Sequence, residues 1–324
     1  MTMLRTRKFG NPTGADVHAD SALSEIAIAY KNKSFIADQV LPLVPVDKQS
    51  DKYYIWDKGS WLTNQVELRT PGDTYPEGRM KLSTDTYYAD IYHLGYPIPD
   101  EDKKNQDAAV DLETSGAEWL AHQFALNREV QIAAAVFAGS IWDTNPTVGT
   151  DFVAWDDYDN SDPPDDIDTY RETVLQNTGV LPNVLVLGKQ VFSKLRRHPL
   201  LLDMYKYTGR GMLTEAEVAA ALDVEKILVG TAVRRTSVEG AASATQAFVW
   251  GKNALLLYVP PKPALREPAA GYTFVWNIDD SGLTINVIPT RQDDRDRDFL
   301  KAKHAFDFKV TGSDLGVFFA SVIS

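Results

Sequence analysis

Two 18-residue runs, Tyr53–Thr70 and Arg79–Tyr96, constrain this chain more than anything else in it. Both are rich in Tyr, Trp, Thr, Val and Ile, residues that favour pleated, half-buried backbone. Val66, Leu68 and Thr70 alternate with Gln65, Glu67 and Arg69, and Met80, Leu82 and Thr84 alternate with Lys81, Ser83 and Asp85. Between the runs lies Pro71-Gly72-Asp73-Thr74-Tyr75-Pro76-Glu77-Gly78, dense in turn residues. The pattern predicts an antiparallel hairpin reaching ~60 Å at ~3.3 Å per residue, with strands about threefold longer than usual. An isolated two-stranded ribbon is marginal in water and offers two unpaired edges. A neighbouring subunit is the natural support.

Composition narrows the field. The chain has 324 residues, 44% of them hydrophobic and 24% charged, which fits a globular protein with a sizeable core. Lys and Arg number 33 against 45 Asp and Glu, a net charge of -12. Wrapping nucleic acid needs clustered cations, so sequence-specific DNA binding is not expected. The absence of cysteine excludes disulfides, thiolate zinc sites, iron–sulfur clusters and thiol catalysis. No secretory signal follows the basic residues of MTMLRTRKFG, and no apolar run is long enough for a bilayer, so no membrane partner is expected.

Along the chain, residues 1–33 read as an extended arm with one short helix, Leu23 to Tyr30, that puts Leu23, Ile26, Ala27 and Tyr30 on one face. Residues 35–46 (FIADQVLPLVPV) read as extended chain broken by proline. After the hairpin a long helix is predicted from about Asn105 to Ala138, with Leu112, Trp119, Leu126 and Ala133 on its apolar stripe. Nine Asp fall between Asp143 and Asp168, read as an acidic loop. A mixed region follows: helices near Ile167–Thr178, Gln190–Arg197 and Thr214–Leu222, the last with a capping box of Thr214 and Glu217. Strands are expected at Val184–Leu187, Lys226–Val233, Ala247–Trp250, Ala254–Val259, Thr273–Ile278, Leu283–Ile288, Ala305–Val310 and Gly316–Ile323.

Little of this carries chemistry. Asp157, Asp159, Ser161, Asp165 and Asp168 fall in an EF-hand register, a weak calcium candidate. The obligatory glycine is Asp162, and Pro163-Pro164 interrupts the loop, so a solvated acidic loop is the better reading. Asp280-Ser281-Gly282 has the aspartic-protease triplet once only, where a turn is needed anyway. The five histidines form no metal-binding spacing, and Gly209-Arg210-Gly211 is no phosphate cradle. Asp293 to Asp298 alternates in sign, with Arg295 and Arg297 candidates for a subunit contact and a solvated loop the equal alternative. No catalytic group and no cofactor is assigned.

The order of arm, long hairpin, long helix and compact mixed region resembles the major capsid proteins of tailed bacteriophages, the HK97-like family. The likeness is carried by FIADQVLPLVPVDKQSDKYYIWDKGSWL, by LPNVLVLGKQVFSKLRRHPLLLDMYKY and by HAFDFKVTGSDLGVFFASVI. The resemblance implies an α+β fold with an N-terminal arm (1–46), an E-loop hairpin (47–97), a peripheral domain with a spine helix (98–167), an axial domain (168–265) and return strands completing the peripheral domain (266–324). It implies a non-enzymatic shell protein that assembles with itself in hexameric and pentameric capsomers around double-stranded DNA. A separate scaffolding protein, a portal and decoration proteins would be its partners, the virion its place, and the host bacterial cytoplasm its assembly site. The hairpin tip, with Arg69, Tyr75, Glu77 and Arg79, would contact a neighbour. An encapsulin-type compartment shares the fold, and a soluble surface hydrolase is the alternative from another class.

Overall fold

The computed structural model describes residues 32, 34–72, 74–75, 77–105, 111–205, 212–237, 243, 245–262, 267–277 and 286–324. Leu23–Tyr30, Gly209-Arg210-Gly211 and Asp280-Ser281-Gly282 lie outside them. In chain order the elements are α1 (Ala37–Val40), β1 (Leu43–Val46), β2 (Ser50–Trp56), α2 (Lys58–Leu62), β3 (Leu82–Tyr88), β4 (Asp90–Pro99), α3 (Asp100–Asn105) and α4 (Leu112–Val136). Then come α5 (Pro163–Thr178), β5 (Val184–Gly188), α6 (Lys189–Leu195), α7 (Pro199–Met204), α8 (Glu215–Ala221), β6 (Lys226–Gly230), β7 (Val233–Arg235) and β8 (Gln246–Phe248). The last are β9 (Ala254–Leu257), β10 (Gly271–Trp276), β11 (Asn286–Gln292), β12 (Arg297–Val310) and β13 (Gly316–Phe319). The chain divides into two compact units: one holds the described parts of 91–124 and 279–304, the other those of 32–90, 125–278 and 305–324.

The larger unit is built on a four-stranded sheet in the order β13-β9-β5-β6, with β5 and β6 parallel and the other pairs antiparallel. Every residue of β5, β9 and β13 is buried. Successive strand residues point to opposite faces, so Leu185, Leu187, Leu256, Val317 and Phe319 enter one core with Trp155, Ile167, Val174, Phe192 and Val218. Val184, Val186, Leu255, Leu257 and Phe318 enter a second core with Val40, Leu41, Ile132, Val136 and Trp250. Two covered faces require continuously apolar strands, and VLVLG and ALLL are that. In the same unit β1 pairs parallel with β10, and β10 antiparallel with Ala305–Val310 of β12.

The smaller unit contains the β11–β12 hairpin, in register from Asn286↔Lys303 to Gln292↔Arg297, with β4 also pairing β12. Its core joins Ile98, Leu112, Leu120, Phe124, Leu300 and Ala302. Gly116 lets α4 approach this core closely, because a Cβ there would meet the Tyr96 ring at 2.6 Å.

Several expectations shift. The predicted 18-residue strands pair over seven residues only, Ser50↔Tyr88 to Trp56↔Leu82. Asp57 ends the pairing by capping α2, accepting hydrogen bonds from the Ser60 backbone and hydroxyl. Residues 35–46 are not wholly extended, since Ala37–Val40 make one helical turn. The predicted long helix is α4, and its buried positions recur every four residues from Leu112 through Leu120 and Phe124, leaving Trp119 43% exposed. The supposed acidic loop ends in a helix: Pro163 and Pro164 occupy the first positions of α5, where a missing N–H costs nothing, and the Asp162 carboxylate caps it.

Candidate inter-subunit surface

The hairpin is fastened at its base. Phe274 of β10 stacks on Tyr87 with ring centroids 4.6 Å apart and also meets Tyr53 at 5.5 Å. Burial, followed by its 2.9 Å hydrogen bond to Asp85, holds the Tyr53 phenol above the usual range. The Tyr87 hydroxyl donates to Lys48 O, and the Tyr88 N–H to Asp307. On the other side of the base, Lys58 pairs with Asp314 at 2.5 Å. Between these fastenings opens a cleft of about 870 Å³, lined by Tyr53, Tyr54, Ile55, Trp61 and Leu62 on one side and by Val180, Pro268, Ala269, Tyr272 and Leu315 on the other.

Beyond α2 the chain carries large apolar side chains into solvent. Val66 is 85% and Leu68 98% exposed, with Tyr75 and Met80 also exposed. Arg69 lies over the Tyr75 ring, 5.2 Å from its centroid, so these two candidate contact residues meet each other. Glu77 and Arg79 are exposed on the returning segment. Arg295 and Arg297 differ from each other. Arg295 stays exposed beside Asp294, whereas Arg297 donates to Gln292 and covers the Phe299 ring. The alternating segment centres on Arg291, which sequence reasoning passed over. Arg291 makes a two-pronged pair with Asp100 and also reaches Asp293 and Asp298, and these carboxylates, Asp100 first, raise its pKa.

The acidic candidates are dispersed. Asp157 accepts from the Asn160 amide, Asp165 sits in the first turn of α5, and Asp168 lies 3.5 Å from Arg171. Asp159 is exposed on the preceding loop. Among the described residues no three His, Asp or Glu side chains are placed to hold a metal ion. Asp166, not singled out from sequence, accepts from Trp155 Nε1 at 3.0 Å, and burial pushes its carboxyl up to about 6. Ser161 is spent internally, bonding His198 and the Asp157 carbonyl.

No family model matches the chain. The chain is 26% identical over 314 residues to the major capsid protein of Burkholderia phage BcepMu, covering 94% of this chain and 96% of that one. It is 29% identical over 315 residues to the major capsid protein of Pseudomonas phage JBD67, covering 94% and 97%. The chain is a homologue of phage major capsid proteins. A solved phage-related protein from Bordetella bronchiseptica superposes with a TM-score of 0.69 at 23% identity, over 90% of this chain and 94% of that one. The capsid protein of cyanophage P-SCSP1u gives 0.63 at 14% identity, covering 96% of each. The fold of this capsid protein homologue is the HK97-like capsid fold, α+β as expected, and its role is structural rather than enzymatic. The hydrolase alternative therefore falls. The encapsulin of Synechococcus elongatus matches more distantly, with a TM-score of 0.51 at 10% identity over 95% of this chain and 97% of that one.

Proposed function

We propose that copies of this chain form hexameric and pentameric capsomers of a closed shell around double-stranded DNA, each hairpin connection lying over an adjacent subunit. The observation that carries this reading is the segment from Thr63 to Lys81, which holds Val66, Leu68, Tyr75 and Met80 in water. Exposed apolar groups in series mark a surface that is covered in the working state. Arg69, Tyr75, Glu77 and Arg79 are then contact residues at the tip, and Arg295 a second contact. In this proposal residues 1–46 serve as arm, 47–97 as E-loop, 98–167 with 266–324 as peripheral domain, and 168–265 as axial domain. The acidic balance suits a wall that does not adhere to the DNA it encloses. Scaffolding, portal and decoration proteins, and assembly in the host cytoplasm, belong to the same proposal and rest on the family likeness.

Electron microscopy of the purified full-length protein, with its size-exclusion mass, tests this. Capsomers or closed particles are the expected result, and a monomer at all concentrations would overturn it. Particles packed with protein cargo and free of nucleic acid would favour the encapsulin reading instead.

A further inference from the structure

We propose that the cleft at the hairpin base is a binding site for an organic ammonium ligand, a small-molecule cation that carries an apolar ring or chain. Every residue lining it belongs to the larger unit of one chain, so the site does not depend on the shell reading. Its volume of about 870 Å³ lies within the range of small-molecule pockets. Five aromatic rings line it: Tyr53 and Tyr54 of β2 and Trp61 of α2 from the hairpin, Tyr272 and Phe274 of β10 from the body. Tyr54 is 61% and Trp61 58% exposed, so two large ring surfaces stand open in a concave place. Along one side α2 closes on the end of α5, where a Cβ at Gly179 would meet Leu62 Cδ2 at 3.5 Å.

Charge decides the class of ligand. The lining holds three carboxylates, Asp57, Glu267 and Asp314, and one cation, Lys58. Two of the carboxylates are engaged: Asp57 caps α2, and Asp314 pairs with Lys58. Glu267 is exposed and pairs with no cation among the described residues. It stands close enough to Tyr272 that, after burial, its charge is the next cause holding that phenol above the usual range. An anionic ligand would meet this uncompensated carboxylate, and a neutral apolar ligand would leave it without a partner. A bare metal ion needs several oxygen ligands together, and among the described residues no such cluster forms. An ammonium with apolar substituents satisfies both features of the cleft. Its charge is attracted by Glu267 and by the ring faces, tryptophan most strongly, while its apolar part covers Leu62, Val180 and Leu315. Such a ligand touches hairpin and body together, and so pins the hairpin base.

The probe that tests this is benzyltrimethylammonium, and its control is neopentylbenzene, which has the same shape with carbon in place of the charged nitrogen. Saturation-transfer NMR reads the binding of each to full-length protein in the fraction that elutes unassembled. The cation is expected to bind saturably with a dissociation constant of roughly 0.1–1 mM, and the neutral probe roughly threefold or more weakly. Glu267→Gln changes an exposed side chain and leaves the core untouched, and it should weaken the cation roughly three- to tenfold without affecting the neutral probe. Trp61→Ala should weaken the cation by a similar factor. Equal affinity for the two probes, or a cation affinity unchanged in both variants, would overturn the proposal. So would a lack of saturable binding up to about 10 mM, the result expected if a segment of the chain itself fills the cleft.

Discussion

The four-stranded sheet and the hairpin are both made of strand-forming residues, yet they meet opposite fates. In β5, β9 and β13 each residue is buried, with one face on each of two cores. In β3 six of seven residues are exposed, and pairing stops after Trp56 and Leu82 although the alternating pattern runs on. A strand persists where something covers its face, and the body covers only the hairpin base, through Phe274. The sheet is thus complete within one chain, whereas under the proposed function the hairpin is half of an interaction.

The largest effect should come from the sheet's own core. Trp250 is fully buried, packs on Phe137 and donates to the buried carboxylate of Glu129. Trp250→Ala should cost roughly 3–5 kcal/mol in urea unfolding, and a loss under about 1 kcal/mol would break the claim that this region sustains itself. Next is a pair on α4. Leu120→Ala should cost about 2–4 kcal/mol, but Trp119→Ala only about 1 kcal/mol, because that ring is half exposed and leans on Tyr96 alone among the described rings. Equal costs would restore the heptad facing that sequence suggests.

A smaller effect is expected at Asp166. Its carboxyl, raised to about 6, favours the folded state fully only while protonated, and that contribution fades as pH climbs from about 4 through 6. Asp166→Asn removes the charge and keeps an acceptor for Trp155. It should gain about 1 kcal/mol at pH 8, after allowance for solvent screening, and nothing at pH 3.5. A gain that does not depend on pH would reject the burial argument. Smallest for stability, and most telling for the comparison, is Leu68→Asp. Unfolding should shift by less than about 0.5 kcal/mol, while particle yield falls and protease cuts between Thr63 and Lys81 only in unassembled protein. Normal assembly of this variant would show that the hairpin is not half of an interaction.

Much of the sheet was legible because its strands are continuous apolar runs bounded by turn residues, and the Thr214–Glu217 capping box stands as expected. The facing of α4 was not legible, since one of its buried positions is Gly116, which has no side chain to count as apolar. The start of α5 was hidden because proline reads as an interruption unless the cap before it is recognised. The exposed tip residues could be picked out from sequence, but the cleft could not. Its walls come from the hairpin, β10 and the segments before β5 and β13, which only the folded chain brings together.

The placement of residues 36–46 has a cost in time. Ile36 and Ala37 offer their N–H groups to Glu129, and Thr273 Oγ1 donates to Leu41 O, a partner 232 residues away in the chain. At roughly 5–20 residues per second, a ribosome needs on the order of 10 to 45 s to deliver β10 after Leu41 has emerged. Throughout that interval FIADQVLPLVPV is an unprotected apolar segment on a nascent chain, at the high local density of a polysome translating a shell subunit. The length of that exposure is set by translation rate.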